Sequence, residues 1–132
     1  MKYLLDTNIC IDLIKQRPQK AFDRFRHLRV GEVGISVITY AELEYGVARS
    51  SDPNRNRLAL SEFLAPLEIL DFPYQVAPLY GALRAALARA GQTIGPLDLL
   101  IAAHALYVGS TLVTNHVKEF SRIPDLPITR WV

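Results

Sequence analysis

The sequence predicts an α/β domain built on a parallel sheet with helices on both faces. Short apolar runs of strand length at 2–5, 33–36, 68–70 and 111–113 alternate with longer segments of helical periodicity. That order calls for right-handed crossovers rather than hairpins. Polar, turn-forming residues also follow the first and last of these runs, Asp6-Thr7-Asn8 and Thr114-Asn115, at what would be the carboxyl edge of the sheet, where such folds bind ligands. The 132 residues suit one domain around one core, and no repeat, linker or low-complexity segment divides them.

After the first strand, Ile9, Ile11, Leu13 and Ile14 mark an amphipathic helix that Pro18 ends. The next helix carries Ala21, Phe22, Phe25 and Leu28 on one side and basic residues on much of the other. Ser36 follows the Val33 strand as a cap for a helix through Ile38, Ala41, Tyr45 and Ala48, and Pro53 opens another that ends by Pro66. Beyond the strand at 68–70, a helix over 75–90 has Val76, Leu79, Leu83, Leu87 and Ala90 on one face, Pro78 in its first turn and Gly91 past its end. Gly95-Pro96 opens a helix from Leu97 to Val108 that is apolar nearly all round, so burial on most sides is expected. Thr111–Val113 is the last strand expected, and a short helix then carries Glu119.

Composition excludes several classes. Cys10 is the only cysteine, so no internal disulfide forms, and no Cys/His spacing suits zinc. Asp6, Asn8 and Asp12 interrupt the amino-terminal apolar residues before a signal-peptide core develops, and no run is long enough to span a membrane. A reducing cytoplasm is the expected compartment. The net charge of +2 is small, but its placement is uneven. Lys15, Arg17, Lys20, Arg24, Arg26 and Arg29 face only Asp23 in their stretch, and Arg49, Arg55 and Arg57 form a second group. Such cations either solvate two helix faces or hold a polyanion; Lys15, Arg17, Lys20 and Arg24 are the candidate RNA contacts.

Acids stand beside the structural breakpoints: Asp6, Glu42, Asp98 and Glu119. Carboxylates brought within a few ångström of one another are pushed toward protonation unless a divalent cation offsets the repulsion, so their convergence implies Mg²⁺ or Mn²⁺ and metal-assisted phosphodiester hydrolysis. Asp6 alone would merely cap a helix. Thr7 and Asn8 serve as caps or as hydrogen-bonding support. Glu42 shares the side of Ile38, Ala41 and Tyr45, whereas Glu44 lies about 200° round the helix, a spacing that only mildly favours Glu42. Asp98, in the first turn of so apolar a helix, is the strongest individual candidate. His104, about 120° from Asp98 round the helix, reads as a core histidine bonded to a backbone carbonyl. Asn115 and Glu119, four residues apart, would share a helical face, and His116 lies close enough to touch a bound phosphate; the alternative for Glu119 is an exposed pair with Arg122.

Taken together, LLDTN at 4–8, ITYAELEYGV at 38–47, GPLDLLIAAHA at 95–105 and VTNHVKEF at 113–120, with the closing Ile128-Thr129-Arg130-Trp131, resemble the PIN-domain ribonucleases, in the VapC-type toxin branch. The resemblance covers essentially the whole chain. It implies a single three-layer α/β/α PIN-like domain over residues 1–132 with a central parallel β-sheet. It carries the acidic roles onto Asp6, Glu42, Asp98 and Glu119, choosing Glu42 over Glu44, with Asp6 and Asp98 the direct metal ligands. Thr114 corresponds to a supporting hydroxyl residue, and Asn115 stands where many relatives have an aspartate, so Glu119 must reach the metal instead. The resemblance further implies Mg²⁺ (or Mn²⁺), a homodimer, a cognate antitoxin that blocks the groove, and cleavage of structured RNA such as tRNA loops. Two rivals remain at this level: an aspartyl-phosphate phosphatase, which would want a second aspartate where Asn8 stands, and a catalytically silent PIN module that binds without cutting.

Overall fold

The computed structural model describes residues 1–131. Among them the chain forms five strands and seven helices: β1 (Tyr3–Leu5), α1 (Thr7–Ile14), α2 (Gln19–Arg26), β2 (Val33–Ser36), α3 (Val37–Ala48), α4 (Pro53–Leu64), β3 (Glu68–Leu70), α5 (Val76–Arg89), α6 (Pro96–Val108), β4 (Thr111–Val113), α7 (Val117–Phe120) and β5 (Ile128–Thr129). The strands make one all-parallel sheet in the order β3-β2-β1-β4-β5. β5 was not expected from the sequence. Its two residues pair with Leu112 and Val113 on β4, too few for an alternating pattern to register.

The three layers follow from the two-residue period of β1. Tyr3 and Leu5 join a core with Ile9, Leu13, Ile35, Leu43, Leu60 and Phe63, under α1 to α4. Leu4 points to the opposite face, where it packs with Leu87, Leu99, Ile101, Leu112 and Phe120 from α5, α6, β4 and α7. Every residue of β1 is buried, as a central parallel strand covered on both faces requires. Trp131 closes the first core, its ring edge-on to Tyr3 at a centroid distance of 5.6 Å.

β2 and β3 approach very closely at Gly34, where a Cβ would stand 2.7 Å from the Glu68 carbonyl oxygen and 2.7 Å from Met1 Cε. Only glycine fits there. The expectation for α6 holds at its centre, where Leu99 and Ile101 to Ala105 are buried; Leu97, Tyr107 and Val108 near its ends are exposed. Gly109, at φ 72°, supplies the left-handed residue that stops the helix.

Candidate active site

Asp6 stands directly after β1 at the carboxyl edge of the sheet. Its backbone N–H donates to the Val113 carbonyl at 3.1 Å, continuing the β1–β4 ladder by one residue. Its side chain, 2% exposed, caps α1 by accepting from the Ile9 N–H at 2.8 Å. The capping role is therefore real; burial pushes the carboxyl above the usual range, and the nearby Thr114 side chain acts in the opposite direction. Thr114, buried after β4, accepts from the His116 N–H at 2.9 Å.

Asp98 lies in the first turn of α6 and is partly buried. Burial raises its carboxyl first, then the negative charges of Glu42 and Glu119, with His116 acting in the opposite direction. Asp98 in turn raises Asp6. The charges of Glu42 and Glu119 thus act on Asp98, and that of Asp98 on Asp6. These acids come from the residue after β1 and from α3, α6 and α7.

Glu42 and Glu44 have different partners. Glu42 Oε1 accepts from the Thr7 hydroxyl at 2.6 Å. Glu44 instead forms a two-point pair with Arg57, at 2.6 and 3.1 Å, which holds its carboxyl below the usual range. Glu119 is not paired with Arg122, whose guanidinium donates to the Thr93 carbonyl at 2.9 Å.

Asn115 is held by other partners than those expected. It precedes α7 rather than lying on it, so the expected four-residue helical relation to Glu119 does not arise. Its amide donates to Asp12 Oδ2 at 3.3 Å, and its side-chain oxygen is buried without a partner. His116 is the neighbour that reaches the site: its Nε2 lies 2.9 Å from the Asn8 amide nitrogen, and its charge acts on both Asp6 and Asp98. The sequence signal for this was its place beside Asn115, from which contact with a bound phosphate is expected.

The donor set is all oxygen, which suits a hard divalent cation. Among the described residues, no group of three or more His, Cys, Asp or Glu side chains is placed so that it could hold a metal ion.

A PIN domain family profile matches residues 3–126. Ribonuclease VapC2 of Rickettsia felis is 44% identical over 132 residues, covering 99% of this chain and 98% of the relative. The tRNA(fMet)-specific endonuclease VapC of Salmonella typhimurium is 44% identical over 131 residues, with the same coverage of 99% and 98%. The crystal structure of DNA-bound VapBC from Salmonella typhimurium superposes with a TM-score of 0.93 at 43% identity, over 100% of this chain and 99% of that one. The chain belongs to the PIN-domain family, among the VapC ribonucleases.

Beside the acids of this VapC-family chain runs a groove of about 900 Å³ between α1, α3 and α4, reaching Thr7, Asn8 and Glu42 at one end. Ile11 was expected in the core but lines this groove, as do Ile14, Tyr45 and Leu97. Ile11, Tyr45 and Leu97 are 37%, 68% and 48% exposed, an apolar surface that no single stretch of sequence reveals. Of the candidate RNA contacts, Lys15 lines the groove; Arg17, Lys20 and Arg24 are exposed on the neighbouring turn and α2. His104 is a core histidine, but its partner is the Ser36 hydroxyl, 2.8 Å from Nδ1, and not a backbone carbonyl. Among the described residues, no helix is long and apolar enough to cross a membrane.

Proposed function

We propose that the protein is an endoribonuclease that hydrolyses RNA phosphodiester bonds with the help of Mg²⁺ or Mn²⁺ and is silenced by a cognate antitoxin. The observation that carries this reading is the effect of Asp98 on Asp6 at the sheet edge, with Glu42 and Glu119 both acting on Asp98. Asp6 and Asp98 would hold the cation. When bound, it supplies Lewis-acid polarisation of the scissile phosphate, activation of the attacking water and charge for the departing 3′ oxygen.

The chain's own residues prepare that site. The Ile9 N–H bond orients the Asp6 carboxyl and, with the nearby Thr114 side chain, favours its charged form against the burial that opposes it. Thr7 fixes one oxygen of Glu42 and leaves the other to orient a water. Lys15, Arg17, Lys20 and Arg24 offer positive charge to the flanking phosphates, which the acids alone would repel. The apolar groove ending at Glu42 suits one face of an antitoxin helix, so that inhibitor and substrate compete at its active-site end. A transfer RNA, the substrate named for the Salmonella relative, is the first to test, and pairing of two copies of the chain completes the expected assembly.

The test is incubation of the purified protein with transfer RNA and Mg²⁺, followed by analysis of the new ends. Cuts with 5′ phosphate and 3′ hydroxyl ends that EDTA abolishes support the reading. Cyclic-phosphate ends that survive EDTA overturn it.

A further inference from the structure

Ser36 ends β2 and caps α3, its hydroxyl oxygen accepting from the Ile38 N–H at 3.1 Å. The same oxygen lies 2.8 Å from His104 Nδ1 on α6. Both side chains are fully buried, and they join segments 68 residues apart. Phe72 stands edge-on to the imidazole at 5.1 Å, and Nε2 has no partner. Burial lowers the ring's affinity for a proton and so keeps it neutral.

For stability alone this is a poor choice. A half-satisfied imidazole inside an otherwise apolar helix does worse than a leucine of similar size, which would leave no polar atom unpaired. Departures of this kind from local consistency concentrate at functional sites. Here the bond joins the two helices that carry interacting acids. Ser36 lies six residues before Glu42 on α3, and His104 lies six residues after Asp98 on α6. At about 1.5 Å of rise per residue, each acid is roughly 9 Å along its helix from the tie. A small slip at the tie is therefore carried by rigid helices to the carboxylates.

We propose that His104 is a positioning residue: through Ser36 it locks α3 against α6 and sets the separation of Glu42 and Asp98. The proposal rests on the nuclease reading of those two acids, but the tie itself is measurable without it. The imidazole touches none of the four acids, so its effect on catalysis is indirect. A misplacement of about 1 Å is enough to cost on the order of a hundredfold in rate when reacting groups must be aligned.

The test compares His104→Leu with His104→Asn. Leucine fills the space and removes the tie, whereas asparagine restores a group that can donate to or accept from the Ser36 hydroxyl. Nitroxide labels on cysteines placed at the exposed positions Ala48 on α3 and Tyr107 on α6 report the interhelical distance by pulsed electron resonance; Cys10 is buried and stays unlabelled. Expected is a broadened distance distribution in His104→Leu, narrowed again in His104→Asn. RNA cleavage at saturating substrate should fall at least about tenfold in the leucine variant, with KM within about twofold and recovery in the asparagine variant. Unchanged distances in a folded His104→Leu protein overturn the tie, and so does an asparagine variant as disordered as the leucine one. Broadened distances with wild-type cleavage overturn its role in positioning the acids. If the wild type cuts no RNA, the nuclease reading fails by itself, and the distance measurement still decides whether His104 locks the helices.

Discussion

The Thr7 hydroxyl donates to Glu42 Oε1 across 2.6 Å, and replacing it with valine removes that bond while keeping the β-branched shape at the start of α1. A hydrogen bond to a charged group contributes about 1.5–3 kcal/mol. Both side chains are only partly buried, so the lower part of that range applies, about 1.5–2 kcal/mol. If the bond serves to orient Glu42 for the reaction, Thr7→Val loses that amount from transition-state stabilisation, a rate reduction of roughly 10–30-fold. Single-turnover cleavage of transfer RNA at saturating protein isolates this step, and circular dichroism confirms that the fold is retained. Thr7→Ser, which keeps the hydroxyl, should stay within about threefold of wild type. A valine variant that cleaves at the wild-type rate would show that Glu42 needs no orientation from Thr7, and would remove Glu42 from the chemistry as described here.

Asp6 links activity to stability with a definite sign. Burial raises its folded-state carboxyl above the ordinary 3.8, so between those two values the folded chain binds more protons than the unfolded one. The stabilisation from the protonated form is complete below the unfolded value and is lost as pH rises through the raised folded value. Asp6→Asn, which can still accept from the Ile9 N–H, should therefore melt higher than wild type at pH 7 while losing cleavage; a lower melting temperature in calorimetry would contradict this. Arg57→Ala breaks the exposed pair with Glu44 and should leave cleavage within about twofold of wild type, since surface pairs contribute little; a large loss of activity would favour Glu44 over Glu42 as the site residue. Gly34→Ala forces a methyl to 2.7 Å from the Glu68 carbonyl, and chemical denaturation should show a loss of about 1–3 kcal/mol. An unchanged midpoint would mean that β2 and β3 separate without penalty.

Legibility in the sequence followed physical scale. The strands at 33–36, 68–70 and 111–113 were readable to the residue because each is an apolar run bounded by turn or cap residues, whereas the two residues of β5 are held by pairing with β4 rather than by a pattern of their own. The helix carrying Asp98 was legible from Gly95-Pro96 and an apolar sequence. What that helix packs against was not: the Ser36 partner of His104 lies 68 positions away. Spacing left Glu42 and Glu44 nearly balanced because it cannot say which helix face meets the site; Arg57, drawing Glu44 aside, is a tertiary fact. Asn115 misled for a related reason. Four-residue spacing places two side chains together only on a continuous helix, and α7 begins at Val117. The groove beside the acids was hidden altogether, because Ile11, Tyr45 and Leu97 come from three separate helices and each reads locally as core.

Manganese binding tests the acidic centre most directly. Titration of Mn²⁺ into the protein, followed by loss of the free-ion electron resonance signal, should show saturable uptake by wild type. Removing a direct ligand costs no less than removing a supporting one, so Asp98→Asn should bind at least about tenfold more weakly while remaining folded. Equal binding by wild type and Asp98→Asn, or no binding by either, would contradict a cation held between Asp6 and Asp98.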